Sequence, residues 1–189
     1  MKVLFISNIP SPYRVDFFQE LGKYVELTVI FEAKRADGIR FDWKETCQGF
    51  RAVFLSDGNI KERSVNFKIL RYIKKGAYDY IFVTNYACWT ETAAYLKLVL
   101  CKIPFVLETD GGMIRHESRI RYRLKSYLLS KPYAYFSPAD TADRYFMRYG
   151  AKKREIVRYH FTSLWKKDIL KRPVSVREKK MLRKKLCLE

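Results

Sequence analysis

Short apolar runs alternate along this chain with segments whose apolar residues recur every three or four positions. The runs predict strands near 3–7, 25–31, 50–55, 78–84, 105–107, 134–137 and 156–159. The periodic segments predict helices near 13–24, 67–75, 90–101, 115–131 and 140–149. Because strands and helices alternate, we expect an α/β, Rossmann-like, doubly wound and mainly parallel sheet of about seven strands.

The segment that begins at Phe105 is the predicted centre of the sheet. Residues 105–107 predict a central strand buried on both faces, and the strand runs directly into Glu108 and Asp110. Gly111 and Gly112 follow, and they predict a sharp turn from which a basic helix begins. In open α/β sheets ligands bind beyond the carboxyl ends of the strands, so the two carboxylates are expected at the mouth of a crevice.

Other predicted strands are followed by residues that suit a hydroxyl-rich ligand. Asn, Tyr, Glu and Asp donate or accept hydrogen bonds, and tyrosine also covers the apolar face of a sugar. The alternative is that these residues serve only as turn and cap residues. The positions are Asn8, Pro12, Tyr13 and Arg14 after the first strand, Asn85 and Tyr86 after the fourth, Pro138 after the sixth and His160 after the seventh.

Two interpretations of the acidic pair remain open at this stage. Two residues apart at a strand end, Glu108 and Asp110 would point the same way and raise each other's pKa, as a general base requires. The alternative is a solvated acidic turn beside Arg115. Gly111 and Gly112 could offer backbone N–H groups to a phosphate, but no phosphate-binding glycine motif is present and Asp110 would repel an anion. We expect no phosphate site made by this chain alone.

The strongly positive net charge predicts an anionic partner. The net charge is +18, and residues 152–189 carry fourteen Lys and Arg against four Asp and Glu. In the predicted helix 115–131, an apolar stripe of Ile120, Leu124 and Leu128 with Tyr127 is flanked by basic residues. Such a helix either lies on anionic lipid or packs its stripe against the core. The predicted membrane contacts are Arg115, Arg119, Arg121, Arg123 and Lys125.

The composition argues against several classes of protein. Four cysteines without Cys-x-x-Cys spacing and two histidines predict no metal site. No apolar run approaches the roughly 20 residues of a membrane span, and no signal peptide is recognisable. No nucleic-acid-binding signature appears, so no nucleic-acid partner is expected. We expect a cytoplasmic protein, or one peripheral on the inner face of a membrane.

Several motifs resemble the N-terminal half of family 4 glycosyltransferases, which have the GT-B fold. The resemblance covers nearly the whole chain. Its parts are Met1-Lys-Val-Leu-Phe-Ile-Ser-Asn-Ile-Pro-Ser-Pro-Tyr-Arg14 with Phe17, Phe18 and Leu21, then Tyr78-Asp-Tyr-Ile-Phe-Val83, the segment from Tyr145 to Val157, and Glu178-Lys-Lys-Met-Leu-Arg-Lys-Lys-Leu186.

The resemblance implies a Rossmann-like acceptor-binding domain over 1–160, then a basic linker and the start of a second domain over 161–189. The second domain would bind the nucleotide sugar through a Glu-x7-Glu motif that these residues lack. We therefore expect no cofactor on this chain and no efficient turnover by it alone. The implied function is retaining transfer of a sugar to a saccharide or lipid-linked acceptor, in cell-surface polysaccharide or glycolipid biosynthesis.

The resemblance also assigns residues. Residues 8–14 take the place of the family's glycine-rich loop, and Asn85-Tyr86 that of a loop that often carries histidine, so both depart from the family pattern. Glu108 and Asp110 are the candidate catalytic residues, expected to orient acceptor hydroxyls more than to act as nucleophiles. The candidate acceptor-binding residues are Asn8, Pro12, Tyr13, Arg14, Asn85, Tyr86, Gly111 and Gly112.

A different class of function competes with this one. A non-enzymatic basic α/β module could bind anionic membrane or nucleic acid through residues 115–131 and the tail. Salt-sensitive binding to anionic vesicles that ignores sugars would favour that alternative. The sequence does not predict an oligomeric state.

Overall fold

A computed structural model describes residues 1–35, 47–60, 64–84, 86, 88–109, 111–160, 166 and 169–188. The strands are β1 (Lys2–Ser7), β2 (Glu26–Phe31), β3 (Arg51–Phe54), β4 (Tyr80–Val83), β5 (Val106–Glu108), β6 (Ala134–Ser137) and β7 (Ile156–Arg158). The α-helices are α1 (Pro12–Leu21), α2 (Trp89–Leu100), α3 (Arg119–Leu129), α4 (Asp140–Arg148) and α5 (Val176–Lys185). Short 3₁₀ helices cover Phe67–Arg71 and Lys153–Glu155.

The seven strands form one sheet in the order β3-β2-β1-β4-β5-β6-β7, and every neighbouring pair is parallel. The chain builds outward from β1 to β3, then returns to the other side of β1 with β4. The loops after β1 and β4 therefore leave in opposite directions, which is the arrangement in which open α/β sheets form a ligand crevice at the carboxyl ends of two strands. The predicted fold class, a seven-stranded doubly wound parallel sheet, is confirmed.

The core lies on both faces of the sheet because side chains alternate along each strand. Leu4 and Ile6 of β1 belong to the larger cluster, which includes Leu98 of α2. Val3 and Phe5 point the other way, and Phe5 packs edge-on against Phe18 of α1 with the ring centroids 5.1 Å apart. The helices of the two faces thereby hold the carboxyl edge of the sheet in a fixed shape.

Two helices differ from the prediction. Helix α3 begins at Arg119 instead of about 115, so the expectation that the glycine pair starts this helix is wrong. Ser118 starts it, because its Oγ accepts a hydrogen bond from the Arg121 N–H at 3.4 Å. The helix predicted near 67–75 is the shorter 3₁₀ helix, which Asn66 caps through a bond from the Lys68 N–H at 3.2 Å.

The C-terminal helix α5 forms as the resemblance predicted, and local bonds at its first turn explain why. Ser175 Oγ accepts from the Glu178 N–H at 3.2 Å, and the Glu178 carboxylate accepts from the Ser175 N–H at 2.9 Å. No residue within α5 is buried. The predicted division of the chain near residue 160 stays a prediction. Among the residues described here, no helix combines the length and apolar character needed to cross a bilayer.

Candidate functional site at the carboxyl edge of the sheet

A buried ion pair joins segments that are far apart in the sequence. Glu108, the last residue of β5, is 0% exposed, and its Oε1 lies 2.6 Å from Nη1 of Arg14 in the first turn of α1. The hydroxyl of Tyr159, just after β7, donates to the same oxygen at 2.7 Å. The segments that follow β1 and β7 therefore meet the end of β5 at one carboxylate.

The local sequence accounts for this arrangement. β5 is buried on both faces, so Glu108 is taken out of water and needs a partner of opposite charge. Arg14 lies near the N-terminus of α1, where the helix dipole disfavours a cation. Arg14 therefore also needs a partner of opposite charge, and the Glu108 carboxylate is that partner. Tyr159 is held in place by its ring, which stacks on Phe136 with the centroids 4.1 Å apart and an interplanar angle of 8°.

The chemistry of this cluster favours orientation over proton transfer. The Glu108 carboxylate already accepts from a guanidinium and a phenol, and both partners stabilise its ionised form. Such a carboxylate can hold neighbouring donors in place, but it is poorly suited to take a proton from a substrate. The catalytic assignment of Glu108 stays a prediction, and Asp110 lies outside the described residues.

Tyr86 and Gly112 meet at a second point of the same edge. The hydroxyls of Tyr86 and Tyr145 share a hydrogen bond, and burial together with this bond raises the pKa of Tyr86. Gly112 has φ +126°, and a Cβ at this position would lie 2.9 Å from Cβ of Tyr145. Gly111 has no heavy atom within 4 Å of such a Cβ. Gly112 is therefore needed for close approach of the backbone to Tyr145.

A third group of polar side chains fastens the ends of β6 and β7. Nη2 of Arg158 lies 2.5 Å from Oδ1 of Asp140 and also bonds to Oδ2 of Asp143. The Ser137 hydroxyl donates to the other oxygen of Asp143. Partial burial acts to raise the pKa of Asp143, but the bonds from Ser137 and Arg158 outweigh it and lower that pKa. These bonds connect α4 to both strand ends.

The other predicted acceptor-binding residues have local roles in the structure. Oδ1 of Asn8 accepts from the N–H of Ile9 at 2.8 Å, which is a bond within the loop after β1. Pro12 is the first residue of α1, and Tyr13 follows it half-buried. Asn85 lies outside the described residues. Acceptor binding by all these positions stays a prediction.

Sequence reasoning missed Tyr159 and named His160 instead. The Tyr159 N–H donates to the Ser137 carbonyl at 3.0 Å, so the pairing of β6 with β7 extends one residue beyond the strand. His160 lies one position further and is exposed. An available signal was the aromatic residue itself, because a tyrosine at the end of an apolar run has both a ring to bury and a hydroxyl to place.

Helix α3 exposes most of its apolar stripe. The exposed fractions are 82% for Ile120, 60% for Leu124 and 60% for Tyr127, whereas Leu129 on the opposite face is 3% exposed. The alternative that this stripe packs against the core is therefore wrong for Ile120 and Leu124, but it holds for Leu128, which is half-buried against the larger core cluster. The four arginines predicted to contact a membrane, Arg115, Arg119, Arg121 and Arg123, are also exposed.

Lys125 differs from the four arginines because it turns toward the domain. Its Nζ lies 3.3 Å from the hydroxyl of Tyr149 and 3.7 Å from the carboxylate of Glu117. It also lies 4.7 Å from the centroid of the Tyr149 ring. Lys125 therefore attaches α3 to Tyr149, the residue after α4, and a membrane contact by Lys125 stays a prediction.

Possible metal ligands are dispersed in the described part of the chain. No group of three or more His, Cys, Asp or Glu side chains there could hold a metal ion. The expectations that this chain binds neither metal nor cofactor stay predictions.

Comparison with known proteins places the fold among solved structures. No protein-family model matches the chain, and the search of curated proteins finds no similar sequence. A UDP-N-acetylglucosamine 2-epimerase structure superposes with a TM-score of 0.56 at 15% identity, over 82% of this chain and 47% of the other. Anabaena Alr3699/HepE in complex with UDP and glucose gives 0.57 at 12% identity, over 100% and 50%.

A third structure agrees with these two. The UDP-GlcNAc 2-epimerase from Methanocaldococcus jannaschii has a TM-score of 0.53 at 16% identity, over 83% of this chain and 45% of that one. The chain thus spans about half the length of the structures it resembles. At such low identity the likeness establishes the fold alone. It supports one half of a GT-B-type fold, and membership of family 4 stays a prediction.

Proposed function

We propose that this chain is the acceptor-binding half of a retaining GT-B glycosyltransferase that moves a sugar from a nucleotide sugar to a saccharide or lipid-linked acceptor. The observation that carries the proposal is the reversal of strand order between β1 and β4, the place where open α/β sheets form ligand crevices. Residues 8–14 follow β1 and Tyr86 follows β4, so two predicted acceptor-binding segments border this crevice.

The solved structures support the part of this proposal that concerns nucleotide sugars. Those compared above are named for UDP-GlcNAc epimerases and for HepE with UDP and glucose, so each concerns a nucleotide or a sugar. The chain matches about half of each one. In this proposal the nucleotide sugar binds to a second half, and the chain described here contributes the acceptor side. Cell-surface polysaccharide or glycolipid synthesis is the proposed setting.

Within the crevice, Glu108 is proposed to act through its neighbours. Its carboxylate bonds to the guanidinium of Arg14 and to the hydroxyl of Tyr159. These two bonds hold the start of α1 and the residue after β7 in fixed positions beside the end of β5. Groups held in fixed positions lower the entropic cost of orienting an acceptor hydroxyl, which can donate to the Tyr159 oxygen. Asp110 is proposed to contact the acceptor directly.

Saturation-transfer NMR on the 189-residue protein tests this function. We expect transfer to maltose, cellobiose or lactose, and weaker transfer to UDP-glucose at the same concentration. Tyr159→Phe should reduce the saccharide signal because it removes a hydroxyl at the crevice, whereas Tyr133→Phe, at a tyrosine that is 67% exposed, should not. Strong UDP-glucose binding with no saccharide binding would overturn the proposal.

We also propose that α3 and the residues before it place the chain on an anionic membrane surface. Ile120, Leu124 and Tyr127 form an exposed apolar stripe, with Arg119 and Arg123 on one side and Arg121 on the other. Met113 and Ile114, exposed by 76% and 48%, extend the apolar surface toward the glycine pair. Basic flanks around an inserted apolar stripe suit the headgroup region of anionic lipid.

Co-sedimentation with vesicles tests this second proposal. The protein should bind phosphatidylcholine vesicles containing phosphatidylglycerol and ignore vesicles of phosphatidylcholine alone. Arg119→Glu with Arg123→Glu should abolish binding, while Lys179→Glu with Lys180→Glu on α5 makes the same charge change elsewhere. If the α5 pair reduces binding as strongly as the α3 pair, the attraction is due to net charge and the assignment to α3 is wrong.

A further inference from the structure

A polar groove lies away from the Glu108 cluster, on the far side of β1. It has a volume of about 540 Å³ and opens beside the ends of β2 and β3. Its lining residues are Glu32, Ala33, Ser56, Asn59, Ile60, Ser64, Val65, Asn66, Phe67, Lys68 and Arg71. The size falls within the roughly 300–1,000 Å³ of small-molecule sites.

Buried hydrogen bonds keep one wall of the groove in place. Thr90, which is 0% exposed, donates from Oγ1 to Oε1 of Glu32 at 2.8 Å and accepts from the Asn66 N–H at 3.0 Å. Nδ2 of Asn66 donates to the Leu55 carbonyl at 2.9 Å. Polar bonds therefore join the residues just after β2 and β3, the first turn of α2 and the start of the 3₁₀ helix.

A backbone contact fixes the opposite wall. Arg35 and Asn59 form an isolated parallel bridge, and the Ile60 N–H donates to the Arg35 carbonyl at 2.8 Å. This bridge continues the pairing of β2 with β3 beyond the strands themselves. The segment that brings Asn59 and Ile60 to the groove is thus held to the chain that follows β2.

The lining has the chemistry of a sugar site. Carboxylate, amide and hydroxyl side chains provide acceptors and donors for ring hydroxyls. Phe67 lies at the rim with 66% of its surface exposed, so its ring is available to the apolar face of a pyranose. A large exposed aromatic ring beside clustered hydrogen-bonding groups suits a carbohydrate better than a purely apolar ligand.

Charge in the groove favours an acidic sugar over a neutral one. Among the lining residues that the structure describes, Lys68 and Arg71 on the 3₁₀ helix are exposed, whereas the Glu32 carboxylate is buried and accepts from Thr90. Asp57 lies just outside the lining, and its carboxylate is 2.5 Å from Nζ of Lys34; the bond and charge of Lys34, with a smaller contribution from the charge of Lys68, lower the pKa of Asp57. The two cations are therefore placed to attract a ligand carboxylate at the open side of the groove.

We infer that this groove is a subsite for an acidic saccharide unit, a uronic acid whose carboxylate contacts Lys68 and Arg71 while its ring stacks on Phe67. The inference rests on the proposed function, since it specifies part of the acceptor that the crevice receives. Glu32, Asn59 and Asn66 then contact the sugar hydroxyls from the floor and walls.

Binding of matched sugars to the 189-residue protein tests the inference. The probes are the methyl glycosides of glucuronic and galacturonic acid, each against its neutral counterpart, methyl glucoside or methyl galactoside, by titration calorimetry or NMR. We expect the acidic sugar of a pair to bind about tenfold more tightly at low salt, and the preference to shrink as salt is added.

Matched variants locate the site. Lys68→Gln with Arg71→Gln should bring acidic and neutral sugars within about twofold of each other, because only the charge contacts are removed. Lys74→Gln with Lys75→Gln changes the same charge just beyond the 3₁₀ helix and should leave the preference intact. Phe67→Ala should weaken both kinds of sugar equally.

The outcomes separate this inference from the proposed function. If neutral and acidic sugars bind equally, or if Lys74→Gln with Lys75→Gln lowers the preference as much as Lys68→Gln with Arg71→Gln, the acidic subsite is wrong and acceptor binding at the crevice stands. The protein could also bind none of the methyl glycosides and still bind disaccharides, with Tyr159→Phe weakening the disaccharide binding. That result would overturn the subsite and leave the proposed function standing. Failure of all saccharides to bind would overturn both.

Discussion

The carboxyl edge of the sheet and the outer side of α3 handle charge in opposite ways. At the edge, Arg14 and Glu108 are withdrawn from water and bonded at 2.6 Å, with Tyr159 on the same oxygen. On α3, Arg119 and Arg123 are exposed and stand beside an exposed Ile120. Charge that is buried and paired positions the backbone, while charge left at the surface beside apolar side chains is suited to an external anionic partner.

The largest effect should come from breaking the buried pair. Glu108→Gln leaves the Arg14 guanidinium buried without a counter-charge, so we expect the free energy of unfolding to fall by about 3–5 kcal/mol. Urea denaturation measures the loss. Glu20→Gln is the matched control, because Glu20 pairs with Lys23 at 2.6 Å on the surface and its loss should leave the midpoint unchanged. Equal effects of the two variants would contradict the distinction.

Alkaline pH should loosen the attachment of α3. Burial, with a smaller contribution from Glu155, raises the pKa of Tyr135 from 10.0 to about 12, and its hydroxyl donates to the Leu129 carbonyl at 2.6 Å. Since the folded state holds this proton more tightly, stability should be constant below pH 10 and fall between pH 10 and 12, by roughly 2–3 kcal/mol.

Denaturation at pH 9, 10 and 11 checks this dependence. Tyr135→Phe should reduce the slope above pH 10 but not remove it, because burial also raises the pKa of Tyr95, whose hydroxyl donates to the Leu128 carbonyl at 2.5 Å. A slope that is unchanged in Tyr135→Phe would show that this tyrosine does not carry the effect.

A smaller loss is expected at the glycine pair. Gly112→Ala places a Cβ 2.9 Å from Cβ of Tyr145 at φ +126°, so stability should fall by about 1–3 kcal/mol. Gly111→Ala is the neighbouring control, with no heavy atom within 4 Å of the added carbon, and should have little effect. Thermal unfolding of both variants measures the two losses of stability. A greater loss of stability in Gly111→Ala than in Gly112→Ala would refute this account of the turn.

The smallest effect on stability should come from α3. Ile120→Ser with Leu124→Ser removes side chains that are 82% and 60% exposed, so the unfolding midpoint should stay the same while binding to anionic vesicles is lost. Unfolding and co-sedimentation are measured on the same preparation. A clear drop in stability would mean that these residues pack against the protein and are not available to a membrane.

The sheet was predicted well from the sequence because each strand is a short apolar run that can be recognised without knowing the rest of the fold. The run from Val3 to Ile6 is apolar on both faces, as buried parallel strands must be, and it became β1. The prediction that the glycine pair starts the next helix was wrong. Gly112 packs against Tyr145, and Ser118, seven residues after Gly111, starts the helix.

The candidate site was only partly predictable for a related reason. Arg14 and Glu108 were each named from their positions after a strand, but their direct bond spans 94 residues and depends on the order of the strands. Tyr159 was missed because the end of β7 had to be known to one residue. Local patterns indicate elements and sheet edges, and three-dimensional packing decides which of the edge residues meet.

Mapping of backbone amide shifts on the 189-residue protein tests the central claim most directly. Added maltose, cellobiose or lactose should shift amides in the segments after β1, β4, β5 and β7, including Arg14, Tyr86 and Tyr159, while UDP should leave them in place. Shifts in those segments with UDP and none with any saccharide would contradict an acceptor-binding half and assign the crevice to the nucleotide.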